Sequence, residues 1–77
     1  METMVIIKSN ITQQVVQFIK KNIDNGNWRI GEKIPSENKL AESLGVSRAS
    51  VRMAIQQFIA IGVLESVHGK GTFVTDR

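Results

Sequence analysis

Seventy-seven residues, ten Lys and Arg against seven Asp and Glu, and no cysteine confine the chain to one small domain. A domain of this length hides only about 60% of its unfolded surface, so its core has to be compact and built from few elements. An apolar content of 42% excludes disorder, the missing cysteines exclude a disulfide framework and a thiolate metal site, and no apolar run approaches a membrane span or a signal-peptide core. A soluble cytoplasmic protein with no cofactor and no metal is the default expectation.

Residues 1–8 read as an N-terminal arm, although Val5-Ile6-Ile7 is apolar enough to pack. A first helix starts at Ser9 or Asn10, and Asn10 with Gln13 has the spacing of a capping box. Ile11, Val15, Ile19 and Ile23 recur every four residues, with Val16 and Phe18 beside them. That pattern makes the helix amphipathic and puts Lys20, Lys21 and Asn22 nearer its wet side. Asn25-Gly26 ends it. Trp28, lying between two glycines, reads as a packing anchor. A turn at Gly31 and a short strand at Lys33-Ile34 then lead to Pro35.

The stretch that follows, PSENKLAESLGVSRASVR at 35–52, organises the chain. Ser36 can cap a second helix, and Glu37 places a negative charge near its positive end. Leu40, Ala41 and Leu44 give that helix a small apolar face. Gly45 supplies a turn conformation that strains other residues, and Ser47 caps the next helix. Two helices joined by a short turn containing Gly form a helix-turn-helix, whose second helix can enter a DNA major groove.

The third helix is expected from Arg48 to Ile61, closing at Gly62. Val51, Ala54, Ile55, Phe58 and Ile61 cluster on one side, with Ala49, Arg52, Met53 and Gln56 opposite and Arg48 and Ser50 on the shoulders. No acidic residue occurs between Glu42 and Glu65, while Arg48 and Arg52 fall inside that gap. An acid-free, basic helix face is the electrostatic footprint of phosphate contact, although a plain solvated face has the same composition. After Gly62, residues 63–67 and 72–75 read as two strands around the glycine-flanked tip His68-Gly69-Lys70-Gly71. The fold class is mainly α with a small β-hairpin: a winged helix-turn-helix of three helices plus a wing.

The stretches GNWRIGEKIPSENKLAESLGVSRASVRMAI, IGVLE and HGKGTFV, in that order, resemble the N-terminal DNA-binding domain of GntR-family transcription regulators. The resemblance covers roughly residues 9–75 and is nearest to the FadR-type subgroup. It implies a repressor that binds operator DNA, with the recognition helix at about 47–61 in the major groove and the wing at 67–71 at the minor groove. It also implies that the full-length protein is a homodimer held by a C-terminal, metabolite-sensing domain. On that reading, residues 9–77 are the winged-helix domain, the effector domain is absent from this chain, and the isolated domain is a monomer.

The resemblance carries the family's DNA contacts to Arg48, Ser50 and Arg52 on the third helix and to His68 and Gly69 on the wing. At Asn38 the family usually has arginine, so PSEN here departs from PSER; asparagine can reach a phosphate or an adenine but cannot give a charged fork to guanine. Either Arg48 or Arg52 can pair bidentately with guanine, a contact that rejects a wrong base by about ten- to a hundredfold. Ser36 and Ser50 can donate to phosphates, Ser47 is a cap beside them, Lys70 adds charge at the wing, and Gln56 is a second-rank contact.

Other readings fare worse. His68 has no cysteine or second histidine with which to hold a metal. The run Gly69-Lys70-Gly71-Thr72 resembles the end of a phosphate-binding loop, but Leu64 stands where the motif needs Gly and Gly71 where it needs Ser or Thr. No nucleophile, histidine and acid are arranged for catalysis, so no enzyme is expected. The alternative from another class is a winged helix that docks an acidic protein partner. Such a surface is richer in exposed Tyr, Trp or Leu than this helix face.

Overall fold

The computed structural model describes residues 10–75. The N-terminal arm and the side chain of Asn10 lie outside the described residues, and so do residues 76–77. The elements in chain order are α1 (Asn10–Asp24), α2 (Glu37–Leu44), α3 (Arg48–Ala60), β1 (Leu64–Val67) and β2 (Gly71–Val74). This is the winged helix-turn-helix that the sequence pattern predicts.

α1 lies against α3 through Val15 and Ile19, which are buried, as are Val51, Ala54, Ile55 and Phe58 facing them from α3. Leu40 and Ala41 of α2, Ile34, Leu64 and Val74 complete one continuous core. Its rim is finished by the half-buried Phe18 and Trp28, whose rings meet edge to face at 6.0 Å and 76°. Trp28 is therefore the anchor expected of it, and it packs against the core cluster.

Three positions differ from the helical-wheel expectation. Ile11 is 50% exposed. Four-residue steps drift by about 40° each on a helix, which turns Ile11 away from Ile19. Asn22 is buried rather than on the wet side. It sits three residues beyond Ile19 and so shares its face. Its amide is satisfied there, donating to the Phe18 carbonyl at 2.8 Å and accepting from the Asn27 side chain. Ile61 is 68% exposed because α3 stops at Ala60. The chain then turns, with Val63 N–H bonding back to the Phe58 carbonyl, so the wheel no longer applies at residue 61.

The wing is an antiparallel pair in which Leu64 faces Val74, Glu65 faces Phe73, Ser66 faces Thr72 and Val67 faces Gly71. The expected strand at Lys33-Ile34 is reduced to a single bridge from Lys33 to Phe73 on the outer edge of β2. Ile34 N–H donates to the Thr72 carbonyl at 2.9 Å, and Pro35, having no N–H, ends the pairing there. That bridge holds the segment before α2 against the base of the wing.

Candidate nucleic-acid interface

The helix-turn-helix is built by local capping. Ser36 holds an extended conformation and its hydroxyl accepts from Lys39 N–H at 3.2 Å, which starts α2. Gly45 ends α2 in the left-handed region, at φ 70° and ψ 35°, and its N–H bonds to the Ala41 carbonyl. A side chain there would meet steric strain, so the glycine fixes where the chain reverses. Ser47 then caps α3, accepting from Ser50 N–H at 3.2 Å.

The serine hydroxyls also form a short relay. Ser47 donates to Ser50 Oγ at 3.1 Å, which leaves the Ser50 proton available to an acceptor outside the protein. Ser47 is thus committed as a cap, while Ser50 can face a ligand.

Both arginines of α3 are held by side chains of α2. Arg48 donates from Nη1 to Asn38 Oδ1 at 3.2 Å. Arg52 makes two bonds to Glu37, Nε to Oε2 at 3.3 Å and Nη2 to Oε1 at 3.2 Å. The hydrogen bond and the charge of Glu37 both raise the Arg52 pKa above its ordinary value. Because the folded-state value is the raised one, any stability this adds is present below the unfolded pKa. It is lost only as pH rises through the folded value, far above neutrality. Arg52 is a cation wherever the protein is folded.

The wing tip stands across from these groups. His68, Gly69 and Lys70 are exposed in a turn closed by Lys70 N–H to the Val67 carbonyl at 2.9 Å. An open groove runs between the tip and the start of α3, lined by Ser36, Asn38, Arg48, His68, Gly69 and Lys70 among others. Six of the ten residues singled out from the sequence therefore meet in one place. Ser47, Ser50 and Arg52 extend the surface along the first turns of α3, and Gln56 is exposed one turn beyond Arg52.

Two further residues belong to this surface. Lys33 lines the groove, and its aliphatic stem lies across Gly71. A Cβ at Gly71 would come within 2.6 Å of Lys33 Cε, and the backbone there has φ +125°. Gly71 is therefore what lets the lysine cross the wing base. Glu37, read from sequence only as a helix-dipole charge, is the partner of Arg52. Among the described residues no group of three or more His, Cys, Asp or Glu side chains converges as a metal site would require. No helix among them is long and apolar enough to cross a membrane.

A two-helix turn with an arginine-bearing second helix beside a basic hairpin tip defines the class, a winged helix-turn-helix regulator domain. The model of the bacterial regulatory proteins of the gntR family matches residues 11–74, and the chain belongs to that family. The HTH-type transcriptional regulator YdfD of Bacillus subtilis is 47% identical over 65 residues, 84% of this chain and 14% of YdfD. The histidine utilization repressor of Pseudomonas putida is 40% identical over 63 residues, 82% of this chain and 25% of the repressor. The chain thus spans between an eighth and a third of the length of such relatives. Among solved structures, the AraR DNA-binding domain in complex with operator ORR3 superimposes with a TM-score of 0.81 at 42% identity, covering 84% of this chain and 78% of that one. A GntR family transcriptional regulator from Listeria monocytogenes gives 0.84 at 27% identity, covering 87% of this chain and 59% of that one.

Proposed function

We propose that this chain is the sequence-specific, double-stranded DNA-binding module of a GntR-type transcription regulator acting in the cytoplasm as a repressor. The observation that carries this reading is the exposed start of α3. Two cationic side chains, Arg48 and Arg52, stand there beside the glycine-rich basic wing tip. α3 enters the major groove with Arg48 and Arg52 toward base edges, and Ser50 donates to a phosphate. His68, Gly69 and Lys70 approach the minor groove, and Lys33 and Ser36 add backbone contacts. Asn38, whose Oδ1 already accepts from Arg48, offers its amide N–H groups to a phosphate or an adenine.

Membership of the gntR family and the resemblance to an operator-bound domain support the reading. In the full-length protein a further domain pairs two copies on a pseudo-palindromic operator; alone, this module is a monomer of modest affinity, because it lacks the gain from two linked half-sites. Exposed Met53 is the one large apolar group on the outer face of α3, too little for a protein-docking surface.

The test is selection from a pool of random duplexes at two salt concentrations. An enriched half-site whose recovery falls with Arg48→Ala establishes sequence-specific recognition. Steeply salt-dependent retention without enrichment reduces the module to phosphate binding. No retention at low salt overturns the DNA reading in favour of an acidic protein partner.

A further inference from the structure

The carboxylate of Glu37 has no part in the DNA reading, yet it takes two hydrogen bonds from Arg52, at 3.3 and 3.2 Å. A guanidinium carries five N–H donors in a rigid plane and offers parallel donor pairs along its side, through Nε and Nη2, or at its end, through Nη1 and Nη2. Glu37 occupies the side pair. The end pair is left for a ligand, on a side chain that is 63% exposed.

We propose that Glu37 is a positioning residue that makes Arg52 a reader of one base edge instead of a mobile phosphate contact; this rests on the DNA-binding reading above. Two effects act together. Fixing the guanidinium plane before binding removes ordering that would otherwise oppose the contact. The carboxylate also partly offsets the charge of Arg52, so an approaching phosphate meets a negative group as well as a positive one. A guanine edge, which is only partly negative, is far less repelled. Glu37 thereby selects against the backbone contact.

The neighbouring arginine is held differently. Arg48 has a single bond to the neutral amide of Asn38 and keeps its full charge. The two arginines therefore differ in kind: Arg48 keeps its full attraction for the duplex along with its reach to a base edge, and Arg52 is specialised for discrimination.

The experiment uses the whole chain and compares Glu37→Gln, Glu37→Asp, Glu42→Gln and the double variant Glu37→Gln with Arg52→Ala in the duplex selection. The base position read by Arg52 is the one whose preference Arg52→Ala abolishes. Glu37→Gln is expected to weaken that preference about tenfold. It also strengthens retention of unrelated duplexes and steepens the salt dependence by about one unit of log–log slope, as a freed cation reaches a phosphate. Glu37→Asp keeps the charge on a shorter arm, so it loses the preference without changing the slope. Glu42→Gln removes an equal charge from the same helix and leaves the preference intact. Adding Glu37→Gln to Arg52→Ala changes nothing more at that base.

If Glu37→Gln retains the preference, or weakens all duplexes equally while lowering the melting temperature, Glu37 is no more than a helix-end residue and the inference is overturned. If the unaltered chain enriches no duplex, the DNA reading fails first and takes the inference with it. Enrichment by the unaltered chain with an indifferent Glu37→Gln sinks the inference alone.

Discussion

Val51 and Arg52 are adjacent on α3, yet one is fully buried between helices and the other stands out beside the turn. The same helix thus carries two regions built by different physics. The inner seam, from Val15 and Ile19 through Val51 and Ile55 to Leu64 and Val74, is held by apolar burial. The outer surface is held by polar pairs between α2 and α3 and by a hairpin tip. On the proposed reading stability resides in the first and recognition in the second, so substitutions should separate them.

The largest effect is expected at Ile19. Truncation to Ala leaves a cavity in a fully enclosed site and should cost about 2–5 kcal/mol. For a small domain that is a large share of the total stability, which is typically about 5–15 kcal/mol. Urea titration followed by circular dichroism measures it, and DNA retention should fall only in proportion to the unfolded fraction.

Gly71→Ala crosses the boundary between the regions. The positive φ resists a side chain, at a cost of about 1–3 kcal/mol. The new methyl group also displaces Lys33 from the wing base. Both the unfolding midpoint and the salt dependence of DNA binding should change, whereas Ile19→Ala changes the first alone.

Arg48→Ala sharpens the separation from the other side. Affinity for a selected duplex should drop by about ten- to a hundredfold in a fluorescence-anisotropy titration. The unfolding midpoint should move little, because an exposed substitution away from caps and core usually stays within about 0.5 kcal/mol. A large fall in stability would mean that the outer surface also holds the fold together. Lys33→Ala should act more weakly, reducing the log–log salt slope by about 0.9 without altering base preference, as the loss of one phosphate contact would.

The two regions were also unequally legible in the sequence. The seam follows from helical periodicity and strand signals, and the caps at Ser36 and Ser47 and the turn at Gly45 follow from local chemistry. These are short-range rules, and they recover the order and type of every helix and strand among the described residues. They fail where a local rule meets tertiary context: at Asn22, where hydrogen bonds to Phe18 and Asn27 make burial tolerable, and at Lys33-Ile34, where Pro35 stops a strand after one bridge. On the outer surface, residue types and exposed positions were readable, but partners were not. The Arg52–Glu37 pair joins residues fifteen apart and the Arg48–Asn38 pair residues ten apart. Lys33 is brought to the groove by the pairing of its segment with β2, from residue 31 to residue 34. No local pattern encodes such meetings, which depend on how α2, α3 and the wing are set against one another.

Ile61 gives the smallest expected effect. On a helical wheel it completes the inner stripe of α3, and Ile61→Lys would then be as damaging as a charge placed in the core. In the folded chain it is a C-cap residue, 68% exposed, after a helix that has already ended at Ala60. Lysine there loses little burial, has its charge in water, and sits near the negative end of the α3 dipole, which favours a cation. The unfolding midpoint should therefore stay within about 0.5 kcal/mol of the parent, with a slight gain more in keeping with the electrostatics than a loss. A cost of several kcal/mol in the same urea titration would show that α3 continues through residue 61 in solution and that the seam extends one turn further toward the wing.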